Sequence, residues 1–151
     1  MSGRKVVASN RKARYDYEIL DTLEAGMALV GSEVKSLRAG QVQLKDGFGS
    51  IYKGEAWLES VHIAPYSFSE DGGHEPERRR KLLLHRREID RLFGRIREEG
   101  LTLVPLQMYF VSGKAKVELG LAKGKRTRDK RKAIVERQQK REMDRAQSFR
   151  R

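Results

Sequence analysis

The chain has no cysteine. Disulfides, thiolate nucleophiles and cysteine-ligated metals are excluded, and the composition suits a reducing compartment. Histidine is scarce. His62, His74 and His85 are scattered and lack the spacing of a metal-ligand set. His74 is expected to be solvated in a polar loop, and His62 to be packed in a strand. Neither recognised glycine-rich phosphate loop is present. No carboxylate pair stands out, since Glu98-Glu99 close a helix. No catalytic residue, metal ligand or cofactor is therefore expected. Apolar runs are short as well. None approaches the length of a membrane span, and Val6-Val7-Ala8 is too short for the apolar part of a signal peptide. The expectation is a soluble, cytoplasmic chain.

Charge is abundant and unevenly placed. Residues 123–151 hold 13 of the 33 Lys and Arg residues but only 4 of the 21 Asp and Glu residues, a net +9 out of +12 for the whole chain. A basic block of this kind points to a polyanionic partner. From Asp129 to Ala146 the segment lacks Gly and Pro and is rich in good helix formers. Its apolar residues make no stripe wide enough to dock on a core, and an isolated helix of this length is marginal in water. The tail is expected to be disordered when free and helical on RNA. Phosphate contacts supply affinity with little sequence preference, so specificity must come from the body. A tail that merely aids solubility is the plainer alternative.

The division expected is a flexible N-terminus over 1–9, one domain over 10–122, and the tail over 123–151. Such a body buries roughly 60–65% of its unfolded surface. A strand is expected over Tyr15 to Leu20. Asp21 or Thr22 could then cap a short helix ended by Gly26. Ser32 is placed as the N-cap of a helix over Glu33 to Ala39, with Gly40 as its stop. Val34 and Leu37 would face in, Lys35 and Arg38 out. Phe48 to Tyr52 and Ala56 to Ile63 suggest a hairpin turning at Lys53-Gly54-Glu55, with a bulge near Ser60. Ser67 to Arg80 is polar and expected to be mobile. The run Arg78-Arg79-Arg80-Lys81 closes it, and Leu82 to Leu84 are expected to be buried. Ile89, Leu92, Phe93 and Ile96 predict a helix over Arg86 to Glu99, stopped by Gly100. Its outer face, with Arg87, Arg91, Arg95 and Glu98, is expected to be solvated. Thr102 to Val111 and Lys114 to Leu121 complete a second strand pair. The fold class expected is mainly β with short helices: an OB-like closed β-barrel with about three flanking helices.

Several local strings resemble the SmpB family, the tmRNA-binding (SsrA-binding) proteins of bacterial trans-translation. They are Asn10-Arg11-Lys12-Ala13-Arg14-Tyr15-Asp16-Tyr17, Glu24-Ala25-Gly26, Gly31-Ser32-Glu33-Val34-Lys35-Ser36-Leu37-Arg38-Ala39-Gly40, Arg80-Lys81-Leu82-Leu83-Leu84, Leu121-Ala122-Lys123-Gly124-Lys125 and Asp129-Lys130-Arg131. They come in family order over roughly residues 10–135. The resemblance implies a non-enzymatic adaptor that binds the tRNA-like domain of tmRNA and replaces the missing anticodon arm. It also implies a tail that enters the empty mRNA channel of a stalled ribosome, at the decoding centre of the small-subunit rRNA, and is helical there. Elongation factor Tu would be an indirect partner through aminoacylated tmRNA, and a monomer is expected.

By position, Glu24, Leu83 and Lys116 match family residues tied to tmRNA binding. Arg14, Lys35 and Arg38 are added here as backbone contacts on the chemistry of their side chains. Gly124, Lys125, Asp129, Lys130 and Arg131 match the tail motif used at the decoding centre, with Lys123, Arg128 and Lys132 beside them. Many family members carry a His or an aromatic residue where this chain has Arg128. A guanidinium plane also stacks on bases. Two other classes compete with this reading. A general OB-fold RNA binder needs stacking aromatics on a sheet face; Tyr15, Tyr17, Tyr52, Trp57, Tyr66 and Tyr109 are the candidates, most expected in the core. An RNA-processing enzyme needs a carboxylate or histidine cluster, and the sequence offers none.

Overall fold

The computed structural model describes residues 4–65 and 74–124. The chain is mainly β, with nine strands and three helices among these residues. In order they are β1 (Lys5–Ser9), α1 (Arg11–Asp16), β2 (Tyr17–Met27), α2 (Gly31–Arg38), β3 (Val42–Gln43), β4 (Phe48–Tyr52), β5 (Glu55–Glu59), β6 (His62–Ile63), β7 (Arg80–Leu83), α3 (Arg86–Glu99), β8 (Thr102–Val111) and β9 (Lys114–Gly124). The large sheet runs β1-β8-β4-β5-β7-β2-β9, and β8 also pairs with β9. The pairing therefore returns on itself through β8, while β3 and β6 form a separate ribbon.

Alternation in the strands builds the core. Ala25, Val117, Leu119, Met108 and Phe110 point inward, where they meet Leu58, Leu82 and Leu103. Their neighbours Glu24, Lys116, Glu118, Gln107 and Tyr109 take the other face, as the period of two requires. The predicted hairpin is present: Tyr52 pairs with Glu55, and Lys53 and Gly54 turn at positive φ. Ser60 also has positive φ, 59°, and marks the break between β5 and β6. Helix α3 has the predicted bounds. Glu88 accepts from the His85 N–H at its start, and Gly100 closes it at φ 66° in the left-handed region.

Five expectations need correction. Tyr15 is not in a strand. Asn10 caps α1, accepting from the Ala13 N–H at 3.0 Å while its amide donates to Leu44 O and Pro105 O. No helix follows Asp21, because β2 pairs with β9 from Tyr17 to Gly26, and that ladder outweighs a local cap signal. Residues 5–9 are not a free end but a strand paired with β8, and β9 runs through Lys123 and Gly124, past the expected boundary at 122. Helix α2 starts one residue before Ser32. Glu33 reaches back to accept from the Val30 N–H, and Ser32 Oγ bonds His74 instead. Of Leu82 to Leu84 only Leu82 is buried; Leu83 is 54% exposed, since alternate residues of β7 must face opposite ways.

The stretch after the loop is also more tightly held than expected. Residues 66–73 lie outside the described residues, but His74 is not simply solvated. Its ring nitrogens lie 2.8 Å from Ser32 Oγ and from Ile63 O. Arg80 is fully buried and donates to Glu33 at 2.7 Å, to Val61 O and to Pro76 O, and Arg78 binds the same carboxylate at 2.6 Å. Burial pushes the Glu33 pKa up, but the hydrogen bonds from Arg78, Val30 and Arg80 outweigh it and leave it lowered. Burial lowers the Arg80 pKa, with Glu33 opposing the shift. The outer face of α3 is not wholly solvated either: Arg91 and Arg95 pair with Asp21 of β2 at 3.1 and 3.3 Å.

Candidate nucleic-acid interface

Gly26 sits where three strands meet. It pairs with Leu83 of β7 on one side and with Lys116 of β9 on the other. A Cβ on Gly26 would stand 3.4 Å from Leu83 Cδ1 and 3.7 Å from Lys116 Nζ. The Leu83 and Lys116 side chains therefore flank Gly26 on the same face of the sheet, at ordinary contact distance from where a Cβ would stand. The row continues from Lys116 to Tyr109 on β8 and to Val6 on β1.

One step along the strands, Glu24 pairs with Glu118, and Glu118 with Gln107. Arg14, from α1, reaches Glu118 Oε1 at 3.3 Å, and Gln107 donates to the same oxygen at 3.2 Å. The structure therefore brings Glu24, Leu83, Lys116 and Arg14 onto one face. Lys35 and Arg38 stand apart from these rows on α2, where the Arg38 guanidinium lies 4.5 Å from the centre of the Phe110 ring. Lys123 and Gly124 end β9 opposite Glu18 and Tyr17. Lys125, Arg128, Asp129, Lys130, Arg131 and Lys132 lie outside the described residues.

Chemically the face is mixed rather than uniformly basic. Lys116 has no ion-pair partner among the described residues and can meet a phosphate. Glu24 is held differently: Tyr109 Oη donates to its Oε2 at 2.5 Å, and Arg4 stands 3.8 Å from the same oxygen. The Arg4 guanidinium also lies over the Tyr109 ring, 3.8 Å from its centre. Tyr109 is 1% exposed. Burial, then the bond to Glu24, pushes its pKa up to about 12, so it is a neutral donor at any ordinary pH.

Sequence reasoning gave Tyr109 only as one of six aromatic candidates, most of them expected in the core, and missed the part its hydroxyl plays. The signal available was its register: it alternates with Gln107 on the polar side of β8. Gly26 was misread as a helix stop. Arg4 carried no signal, because its place depends on β1 joining the sheet. No group of three or more His, Asp or Glu fit to hold a metal occurs among the described residues. No helix there is long and apolar enough to cross a membrane.

The chain is similar to known proteins. A family model described as SmpB protein matches residues 7–149. The SsrA-binding protein of Acidothermus cellulolyticus is 62% identical over 145 residues, covering 96% of this chain and 91% of that protein. The SsrA-binding protein of Kineococcus radiotolerans is 59% identical over 149 residues, covering 99% and 96%. A solved chain described as "tmRNA-SmpB: a journey to the center of the bacterial ribosome" superposes with a TM-score of 0.68 at 51% identity, covering 85% of this chain and 93% of the other.

Proposed function

The chain belongs to the SmpB family, and on that premise we propose that it is the RNA-binding adaptor of trans-translation. It binds tmRNA and acts with it on the ribosome. The body recognises the tRNA-like domain through Leu83, Lys116 and Glu24, with Arg14 at the edge of the same face. Lys35 and Arg38 add backbone contacts from α2. The strand ring is read as an OB-like closed barrel, and the protein stands in for the anticodon arm. The tail, from Lys125 onward, is disordered when free. It becomes helical in the empty mRNA channel, with Asp129, Lys130, Arg131 and their neighbours at the decoding centre. The protein is a cytoplasmic monomer with no chemistry of its own, and meets elongation factor Tu through aminoacylated tmRNA.

One observation supports the assignment of the face above others. Three residues far apart in the chain (Glu24, Leu83 and Lys116), each matching a family position, converge around Gly26. Phosphate contacts hold a protein on RNA without sequence preference. A face that mixes Lys116, the exposed Leu83 and the carboxylate of Glu24 is suited to selection instead.

The test is reconstituted tagging on stalled ribosomes with the full chain and a 1–124 truncation, with tmRNA binding measured in parallel at about 150 mM salt. The cut follows Gly124 because β9 pairs that far with β2. The expected result is near-normal tmRNA binding and no tagging by the truncation. Loss of most affinity, with no preference for tmRNA over tRNA, would mean the tail is only an electrostatic anchor and the body is not the selector.

A further inference from the structure

An acidic side chain on a face that meets RNA needs an explanation, because a carboxylate repels phosphate. The surroundings of Glu24 supply one. Its Oε2 takes the Tyr109 hydroxyl at 2.5 Å and lies 3.8 Å from Arg4. Its Oε1 has no partner among the described residues, and the side chain is 47% exposed. A bond this short to an ionised acceptor is of the strong, charge-assisted kind. The tyrosine is itself fixed by burial, with Arg4 stacked on its ring.

We infer that Tyr109 and Arg4 are positioning residues for Glu24. They engage Oε2, hold the carboxylate in one orientation and offset its charge. Oε1 is left as a single acceptor for an amino or imino N–H on the edge of an unpaired base whose phosphate lies on Lys116. A carboxylate accepts and never donates, so Glu24 selects a base edge that presents a donor and rejects one that presents only acceptors. The inference rests on reading the Gly26 row as the tmRNA-facing site.

The test is a set of coupled substitutions in the full chain. Affinity is measured against a transcript of the tRNA-like domain at fixed ionic strength, with near-UV circular dichroism and Tm as folding controls. Glu24→Ala is expected to weaken binding about 10-fold, and Tyr109→Phe, which keeps the ring and the Arg4 stack, about 5-fold. In the Glu24→Ala background Tyr109→Phe should cost nothing further. Arg4→Ala, at an exposed position, repeats the coupling test without touching the core.

Glu24→Gln adds a readout that a structural role would not move. Tyr109 then claims the amide oxygen and the NH2 is turned outward, so binding falls as in Glu24→Ala. Adding Tyr109→Phe frees the amide to turn and restores part of the affinity. Losses that simply multiply, or a Tyr109→Phe protein that binds normally while Glu24→Ala does not, would overturn the inference alone. Normal binding by both Glu24→Ala and Lys116→Ala would remove the site reading beneath it.

Discussion

At the scale of single residues, Tyr109 shows how burial changes what a side chain can do. Its folded pKa is raised from 10.0 to about 12. The proton is therefore held more tightly in the folded state than in the unfolded chain. The stability this contributes is fully present below about pH 10 and is lost as pH climbs toward 12. Urea unfolding of the wild type should fall over that window. Tyr109→Phe should show a flatter alkaline limb, because no phenol remains to titrate at that position. An unchanged limb would mean that the hydroxyl is not held as described. Asn10 is the second such residue, buried, with one oxygen capping α1 and one amide joined to two distant carbonyls. Asn10→Ala should cost about 3 kcal/mol in chemical denaturation, combining a lost cap with carbonyls left without a donor.

Between elements, the Glu33–Arg80 pair joins α2 to β7, and Arg78 joins the same carboxylate. A buried pair adds little over an apolar substitute, but removing one partner strands a charge. Arg80→Met alone should lose about 3–5 kcal/mol, and Glu33→Gln with Arg80→Met much less than the sum of the two single changes. The Glu33 pKa is lowered by folding. Its contribution is thus present above the unfolded carboxylate value of 4.5 and disappears as pH falls through the lower folded value. The urea midpoint of the wild type should drop on acidification below that point more steeply than that of the double variant. The pair also bears on the proposed interface, because β7 carries Leu83 three residues beyond Arg80. A shift of β7 would move that leucine relative to Lys116.

For the molecule as a whole, the proposed function assigns two tasks to the two parts of an uneven charge distribution. The first 122 residues have a net charge of only +3, while the remaining 29 have +9. If about six tail charges meet phosphates, tail-dependent affinity for ribosomal RNA should fall about 10³-fold between 50 and 200 mM salt. Selection of the tRNA-like domain by the 1–124 body should depend on salt far less. Equal slopes for the full chain and the truncation would contradict this division.

Much was legible in the sequence for physical reasons. Helix α3 was readable to the residue because its apolar spacing and its closing Gly100 both act locally. The β4–β5 hairpin and the β8–β9 pair were readable from alternation and turn residues. Charge placement and the absence of cysteine are properties of composition and need no fold. What tertiary structure alone decided were the features set by residues far apart in the chain. Asp21 carries a helix-start signal, yet the long ladder to β9 holds it in a strand. Arg80 stands in a run of four cations, yet only Arg80 of that run is itself fully buried, while Arg78 meets the same Glu33 from a part-exposed position. Gly26 looks like a helix stop, but it lies in a strand between Leu83 of β7 and Lys116 of β9. Tyr109 takes its partner from 85 residues away. Local signals specify elements; which face each element presents, and which charges it buries, follows only from long-range pairing.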